Sequence, residues 1–235
     1  MQWSKVGLQN TFLFHKDLNC DPSMNETSPN ALISRRFRQF LPVIIDVETG
    51  GINAQTDALL EIAAVIVRMD WQGDLHPACT FAHHVKPFPG SRLDPVSMAI
   101  NSIDPDHPFR FAVVEREALE DIFNEIRQEM RETGCTRAIL VGHNSFFDLA
   151  FLNAAAARAK VKRNPFHPFS SFDTVSLSGL AYGQTVLSRS LQAAGIRWNE
   201  REAHSAIYDA ERTAELFCLI INRWKELGGW KVKND

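Results

Sequence analysis

Three apolar segments between residues 41 and 86 constrain the fold of this chain most. Residues 41–46 form a short apolar run, residues 61–69 form a longer one, and residues 80–86 alternate between apolar and polar side chains. Turn-forming residues separate the three segments, and runs of this length and pattern are typical of β-strands. The pattern predicts three consecutive antiparallel strands.

Helical and strand patterns alternate in the second half of the chain. Apolar residues at three- and four-residue spacing form one stripe of a helix that ends near Gly134: Leu119, Ile122, Phe123, Ile126 and Met130. Further patterns predict strands at 138–141 and 171–174 and helices at 144–161, 187–194 and 205–227. Antiparallel strands followed by this alternation predict an α/β fold, with a mixed sheet and helices packed on its faces.

The composition is that of a globular protein with one main domain. Of the 235 residues, 45% are hydrophobic and 23% are charged, and no apolar run is long enough to cross a bilayer. We expect a soluble protein with a loosely structured extension at 1–34, a folded domain at 35–230 and a tail at 231–235. Met24 opens a polar stretch, so we also expect that translation begins there or that the preceding segment is dispensable.

The charge of the chain argues against binding nucleic acid through its average electrostatic field. The net charge is −3 and the isoelectric point is near 6.2, so any contact with a polyanion has to be local. Three basic clusters could supply such contacts, although most clusters of this kind are simply solvated surface. They are Arg35, Arg36 and Arg38; Arg127, Arg131 and Arg137; and Lys160, Lys162 and Arg163. Four cysteines without a CxxC pair argue against a zinc knuckle and predict reduced thiols.

Two acids, Asp46 and Glu48, end the first predicted strand. Because strand side chains alternate, both project from one face while Val47 points to the other. Unpaired charges on an apolar strand are costly, and a hard cation is the obvious partner for two carboxylates. Two surface acids at a solvated strand end are the alternative interpretation.

Three further residues extend this candidate site. Asp148 lies where a buried strand passes into a helix, the position at which open α/β sheets gather ligands, although a helix-capping acid would occupy the same place. His204 and Asp209 form an H-x4-D pattern at the start of the last helix, so both can reach one cleft. Each feature is weak alone, because a lone histidine is more often structural than catalytic.

The order and separation of these residues resemble the DEDDh exonuclease superfamily. Six segments resemble the ribonuclease T family more closely, over residues 35 to 230: DVETGG, TDALLEIAAV, HNSFFD, NPFHPF, FDT and LGGW. The resemblance implies a ribonuclease H-like fold, with a mixed five-stranded sheet flanked by helices on both faces. It also implies a cytoplasmic 3′-to-5′ exoribonuclease that trims structured RNA in transfer RNA turnover and stable RNA maturation, releasing nucleoside 5′-monophosphates.

The resemblance assigns roles to the five candidate residues. The metal ligands it implies for two Mg²⁺ ions per active site, with Mn²⁺ as a substitute, are Asp46, Glu48, Asp148 and Asp209. His204 is the implied proton acceptor. The physical chemistry agrees, because four carboxylates in one cleft repel one another without cations, and oxygen ligands suit Mg²⁺ or Mn²⁺.

The resemblance also implies a homodimer in which basic residues of one subunit hold the RNA that enters the other active site. The residues implied are Arg36, Arg38, Arg131, Arg137 and Lys162. Phe147 and Phe169 match aromatic positions that stack on the terminal bases, whereas Ile52 and Ile100 stand where family members can carry phenylalanine. The two isoleucines predict weaker discrimination against a 3′-terminal cytidine.

Three other functions remain open. A DNA-directed DEDDh exonuclease of proofreading or repair type would share the five residues, and single-stranded DNA ends are a further substrate to consider, although NPFHPF and LGGW argue for RNA. A catalytically idle nucleic-acid-binding module is disfavoured by the intact set of catalytic residue types. A phosphodiesterase acting on dinucleotides would use the same cleft.

Overall fold

A mixed five-stranded sheet forms the core of the computed structural model, which describes residues 29–230. The strands are β1 (Phe40–Thr49), β2 (Leu59–Met69), β3 (Leu75–His84), β4 (Arg137–Gly142) and β5 (Phe166–Asp173). Their spatial order is β3-β2-β1-β4-β5. The first three strands pair antiparallel, as the sequence predicts, while β4 pairs parallel with both β1 and β5.

Six α-helices surround the sheet in the described part of the chain. They are α1 (Pro95–Asn101), α2 (Glu115–Thr133), α3 (Ser145–Arg158), α4 (Thr174–Tyr182), α5 (Leu187–Ala194) and α6 (Ala206–Glu226). Helices α2 and α3 contact each other, α6 contacts α4 and α5, and both groups contact the sheet. The expected helices on both faces are therefore confirmed. Among the described residues, no helix has the length and apolarity needed to cross a membrane.

Strand β1 lies at the centre of this arrangement. It pairs with β2 on one side and β4 on the other, and helices cover both faces of the sheet. Leu41, Val43 and Ile44 are fully buried as a result. This burial explains why residues 41–45 form a continuous apolar run instead of an alternating one. The acids at the end of β1 interrupt that run.

The structure differs from the predicted elements at four places, and one is β3, which begins at Leu75 instead of Thr80. Strand β5 begins at Phe166 instead of Ser171, because an edge strand tolerates prolines such as Pro168. Helix α1 was not predicted, since it buries none of its side chains and so has no apolar stripe; Asp94 caps it by accepting from the Ser97 N–H. Helix α4 was not predicted either.

The segment before β1 contributes to the core. Residues Pro29–Arg35 form a 3-10 helix, and Ile33 within it is fully buried. The rest of the predicted extension, the prediction about Met24 and the predicted tail at 231–235 lie outside the described residues. Cys135 and Cys218 are free and buried, as expected. The prediction of a reduced thiol at Cys20 lies outside the described residues.

Candidate active site

Asp46 and Glu48 lie near the end of β1, on either side of the buried Val47. The parallel pairing between β1 and β4 ends at Ile44, so the two strands separate before they reach the acids. Open α/β sheets bind ligands at this kind of gap, beyond the carboxyl ends of parallel strands. The two acids therefore lie at the carboxyl end of β1, where the gap between β1 and β4 forms a cleft.

Asp148 enters this cleft from the first turn of α3. The backbone N–H of Val47, between the two acids of β1, lies close enough to the Asp148 carboxylate to favour its ionised form. Gly142, at the end of β4, makes this approach possible: a Cβ atom there would lie only 2.8 Å from Asp148 Oδ2. The Asp148 side chain is 4% exposed.

His204 and Asp209 come from the start of α6. Asp209 lies in the first turn, and its Oδ2 accepts a hydrogen bond of 3.2 Å from the His204 N–H. His204 has a φ of 64°, in the left-handed region that non-glycine residues seldom adopt. This turn leaves the exposed imidazole just ahead of the helix, next to Asp209.

The carboxylates of this cluster destabilise one another's ionised forms. Burial raises the pKa of Asp46 well above its ordinary range, and the charges of Asp148, Asp209 and Glu48 raise it further. Burial, with the charge of Asp209, raises the pKa of Glu48 to about 8. Burial also raises the pKa values of Asp148 and Asp209. The four groups therefore need compensating positive charge to ionise together at neutral pH.

The donor set fits a divalent metal ion. Asp209 Oδ1 is buried and has no hydrogen-bond partner, although buried polar oxygens almost always accept a bond. Glu48, His204 and Asp209 can each place one ligand atom within 4.8 Å of the others. Carboxylate oxygens are the ligands that hard divalent cations prefer. Glu48 and Asp209 of the predicted ligand set, together with His204, thus form a candidate metal centre, and the charges of Asp46 and Asp148 act on the same cluster.

Comparison with known proteins identifies the family. The exonuclease family model RNase_T matches residues 43–217. Ribonuclease T of Vibrio vulnificus strain YJ016 is 57% identical over 204 residues, which cover 86% of this chain and 94% of that protein. The same values hold for ribonuclease T of strain CMCP6. The chain belongs to the ribonuclease T family.

Solved exonucleases share the fold of this ribonuclease T family member. Escherichia coli exonuclease I, in complex with a dT13 oligonucleotide, matches with a TM-score of 0.60 at 18% identity, over 80% of this chain and 42% of that one. A 3′-exonuclease whose structure concerns 3′-end recognition of a histone mRNA stem-loop matches with a TM-score of 0.57 at 18% identity, over 80% of this chain and 84% of that one. The family member spans less than half of exonuclease I.

Two of the basic residues expected to contact RNA, Arg131 and Arg137, lie away from the carboxylates. Arg137 opens β4, where it pairs with Phe40 at the start of β1, whereas Asp46 lies toward the other end of β1. Strands rise about 3.3 Å per residue, which separates the two positions by about 20 Å. Arg131, in the last turn of α2, is on the same side as Arg137. These basic residues and the acids therefore lie near opposite ends of the strands.

Arg36 differs from the other basic residues in this set. Its guanidinium packs over the rings of Phe37 and Trp230, at 4.8 Å and 4.6 Å from their centroids, and the residue is 6% exposed. Burial of this side chain argues against the direct RNA contact expected for it. The remaining residues of the set are exposed: Arg38, Arg131, Arg137 and Lys162.

The expected base-stacking residues are exposed to different extents. Phe147 is half-buried and packs on Phe151, with ring centroids 4.9 Å apart, whereas Phe169 is 79% exposed. Ile52 and Ile100 are also exposed. Ile100 lies beside the end of β1, because the next residue in α1, Asn101, donates from Nδ2 to Thr49 O at 3.0 Å.

Two acids near the cluster were not identified from the sequence. Glu61 of β2 lies directly opposite Glu48 in the strand register. Asp173 accepts hydrogen bonds from the N–H groups of Asn144 and Val175, and its charge helps to raise the pKa of Asp148. The signals available were the single acid within LLEIAAV and the aspartate of FDT. Neither pattern tells which acids face the cleft.

Proposed function

We propose that this chain is a 3′-to-5′ exoribonuclease that trims the 3′ ends of structured RNA, including transfer RNA and precursors of stable RNAs. One observation carries the proposal: four carboxylates from β1, α3 and α6 converge beside His204. Membership of the ribonuclease T family supports the choice of RNA. We also expect the protein to act in the cytoplasm.

The four carboxylates would hold two Mg²⁺ ions, for which Mn²⁺ can substitute. Bound in pairs, such ions activate water and stabilise the oxyanions of an in-line phosphodiester displacement. His204 would accept the proton of the attacking water, since an exposed imidazole at the edge of the cleft is well suited to that role. The product would be a nucleoside 5′-monophosphate.

A homodimer would explain where the RNA is held. Arg131 and Arg137 lie at the edge of the sheet opposite the acids, so a strand bound there would not run directly into the same chain's cleft. In the proposed dimer, the basic end of one sheet would face the acidic end of the partner's sheet. The residues that would then hold RNA entering the partner's active site are Arg38, Arg131, Arg137 and Lys162. Arg36 would act indirectly, by supporting the neighbouring Phe37.

A hairpin RNA with a short single-stranded 3′ end tests this function. With the 5′ end labelled, Mg²⁺ should produce a ladder of products that stops near the duplex, and EDTA should abolish it. His204→Ala should lower kcat far more than RNA affinity, because a base acts in the transition state. Internal cleavage, or turnover unaffected by EDTA, would contradict the proposal.

A matched DNA hairpin and a dinucleotide separate the competing functions. Faster cleavage of the DNA hairpin would favour a DNA-directed enzyme, and efficient turnover of the dinucleotide alone would favour a small-molecule phosphodiesterase. Hairpins that differ only in the last base test Phe147, Phe169 and the two isoleucines. We expect modest discrimination against a terminal cytidine, because Ile52 and Ile100 lack a flat π face for stacking.

A further inference from the structure

A row of three ionisable side chains crosses the sheet beside the metal centre. Glu48 of β1 pairs in register with Glu61 of β2, and Glu61 pairs in register with His84 of β3. Residues directly opposite one another in an antiparallel sheet project from the same face, with Cβ atoms about 5 Å apart. Glu61 therefore lies on the same face of the sheet as the acids of β1.

Both carboxylate oxygens of Glu61 have protein partners. Oε1 is 2.9 Å from His84 Nδ1, and Oε2 accepts a hydrogen bond of 3.4 Å from the Ala206 N–H. Whenever the Glu61 carboxylate is ionised it can only accept, and His84 Nδ1 is then the donor in this pair. The Glu61 side chain is 14% exposed, whereas that of His84 is 45% exposed. Glu61 thus joins β3 to the start of α6.

The hydrogen bond to Glu61 gives the Ala206 N–H an acceptor that it does not have within α6. Ala206 is the first residue of the helix, where backbone N–H groups have no partner within the helix. The side chain of Ser205, at the N-cap position, makes no capping hydrogen bond. Glu61 supplies the missing acceptor from the sheet, and its negative charge also suits a helix N-terminus.

The start of α6 sets the geometry of the catalytic residues. His204 lies just before it in a left-handed conformation, and Asp209 in its first turn accepts from the His204 N–H. We propose that Glu61, oriented by His84, is a positioning residue that anchors the N-terminus of α6 to the sheet and so places His204 and Asp209 against Glu48. This inference rests on the proposed function, in which those residues act together.

Glu61 differs from the proposed metal ligand Asp209 in the hydrogen bonding of its carboxylate oxygens. Its two oxygens contact protein donors, whereas Asp209 Oδ1 has none. The positioning role needs an acceptor at the Ala206 N–H, which a glutamine side chain also provides. A metal-binding role would need the negative charge. Glutamine and alanine variants therefore separate the two roles.

The test compares Glu61→Ala, Glu61→Gln and a control variant, Glu211→Ala, at saturating and limiting Mg²⁺. Glu211 also joins α6 to β3, by accepting from Thr80 Oγ1 at 3.0 Å, but it lies beyond the first turn of the helix. We expect Glu61→Ala to lower kcat about 10- to 100-fold with little change in KM, because small misplacements of catalytic groups are costly. Glu61→Gln should recover most of kcat, and Glu211→Ala should keep it.

Amide hydrogen exchange gives a second readout that does not depend on activity. In the metal-free protein, Glu61→Ala should speed exchange at the Ala206 N–H, whereas Glu61→Gln and Glu211→Ala should leave it protected. Unchanged protection in Glu61→Ala would overturn the inference even if RNA proves not to be the substrate. Equal loss of kcat in both Glu61 variants, with a raised Mg²⁺ requirement, would also overturn it and identify Glu61 as a metal ligand.

Discussion

At the scale of single residues, the two carboxylate oxygens of Asp209 differ in a way that favours binding of a cation. Oδ2 accepts from the His204 N–H, while Oδ1 is buried without a partner. The pKa of Asp46 is raised well above its ordinary range, since the charges of three other cluster members add to its burial. Each carboxylate is therefore costly to ionise until a cation is bound.

Asp46→Asn tests the proposed metal centre directly. The substitution removes a negative ligand, so we expect cleavage to fall by about 100-fold or more. It also removes repulsion within the cluster, so the metal-free variant should melt at a higher temperature than the metal-free parent protein. Turnover and thermal unfolding, each with EDTA and with Mg²⁺, measure both effects. Near-normal turnover would rule out Asp46 as a metal ligand.

The stability of the metal-free protein should depend on pH through Glu48. Its pKa rises from an ordinary 4.5 to about 8 in the folded state. Between those pH values the folded state binds more protons than the unfolded state, so the free energy of unfolding falls as pH increases. Bound Mg²⁺ favours the ionised carboxylates and should reduce or reverse this slope.

Thermal unfolding between about pH 5 and pH 8.5, in EDTA and in Mg²⁺, measures this dependence. Glu48→Gln is the matched control, because it removes one of the four carboxyl groups with raised pKa values and should make the slope in EDTA shallower. A metal-free protein that becomes steadily more stable over this range would contradict the assignment of the raised pKa.

At the scale of elements, one ion pair connects helix α2 with helix α3, which carries Asp148. Arg158, the last residue of α3, donates from Nε to Glu115 Oε2 at 3.0 Å and from a terminal nitrogen to Oε1 at 2.6 Å. Glu115, the first residue of α2, is buried, and the guanidinium also packs 3.8 Å from the centroid of the Phe88 ring. The pair is therefore bidentate and mostly shielded from water.

Arg158→Ala should lower the free energy of unfolding by about 2 to 3 kcal/mol, because it leaves the buried Glu115 carboxylate unpaired. The matched control is Arg116→Ala, which breaks an exposed pair with Glu120 at i,i+4 spacing and should cost about 0.5 kcal/mol or less. Urea denaturation of both variants measures the difference. Equal losses would show that burial of Glu115 contributes nothing.

The 3-10 helix before β1 defines how far the chain can be shortened. A variant that begins at Met24 should keep full activity and melting temperature, whereas one that begins at Arg35 lacks the buried Ile33. Loss of this side chain should lower the free energy of unfolding by about 2 to 5 kcal/mol. Ile33→Ala in the full chain is the matched point variant. A drop in melting temperature for the Met24 variant would contradict the expectation that the leading segment is dispensable.

At the scale of the whole molecule, acids and basic residues occupy opposite edges of one sheet. Parallel pairing of β1 with β4 places Arg137 at one edge and Asp148, which follows β4, at the other. A single chain therefore separates the expected RNA-holding surface from its own catalytic cluster. Two copies packed with the basic end of one sheet beside the acidic end of the other would bring each basic surface to the partner's cleft.

Mixing two inactive variants tests this arrangement. Asp46→Asn lacks a working site, and the double variant Arg131→Ala with Arg137→Ala lacks the basic surface. If the surface acts on the partner, a 1:1 mixture should recover about a quarter of the parent activity, since half of random dimers are mixed and each has one complete site. A mixture no more active than the sum of its components would show that the surface acts within one chain.

The sequence by itself determined the local features of this protein. Apolar runs and stripes predicted the strands of the meander and helices α2, α5 and α6, because burial imposes a period that is visible in sequence. The alternation along β1 also predicted that Asp46 and Glu48 share a face. Elements without an apolar face, such as α1, left no comparable pattern.

Only the tertiary structure decided which residues meet. The strand register places Glu61 of β2 opposite Glu48 of β1. Packing places the Trp230 ring over the Arg36 guanidinium, although the two residues are far apart in the sequence. Such pairings depend on how strands align and helices dock, which no short sequence window contains. The same reason applies to the separation of Arg137 from the acids, because it follows from the parallel direction of β4 beside β1.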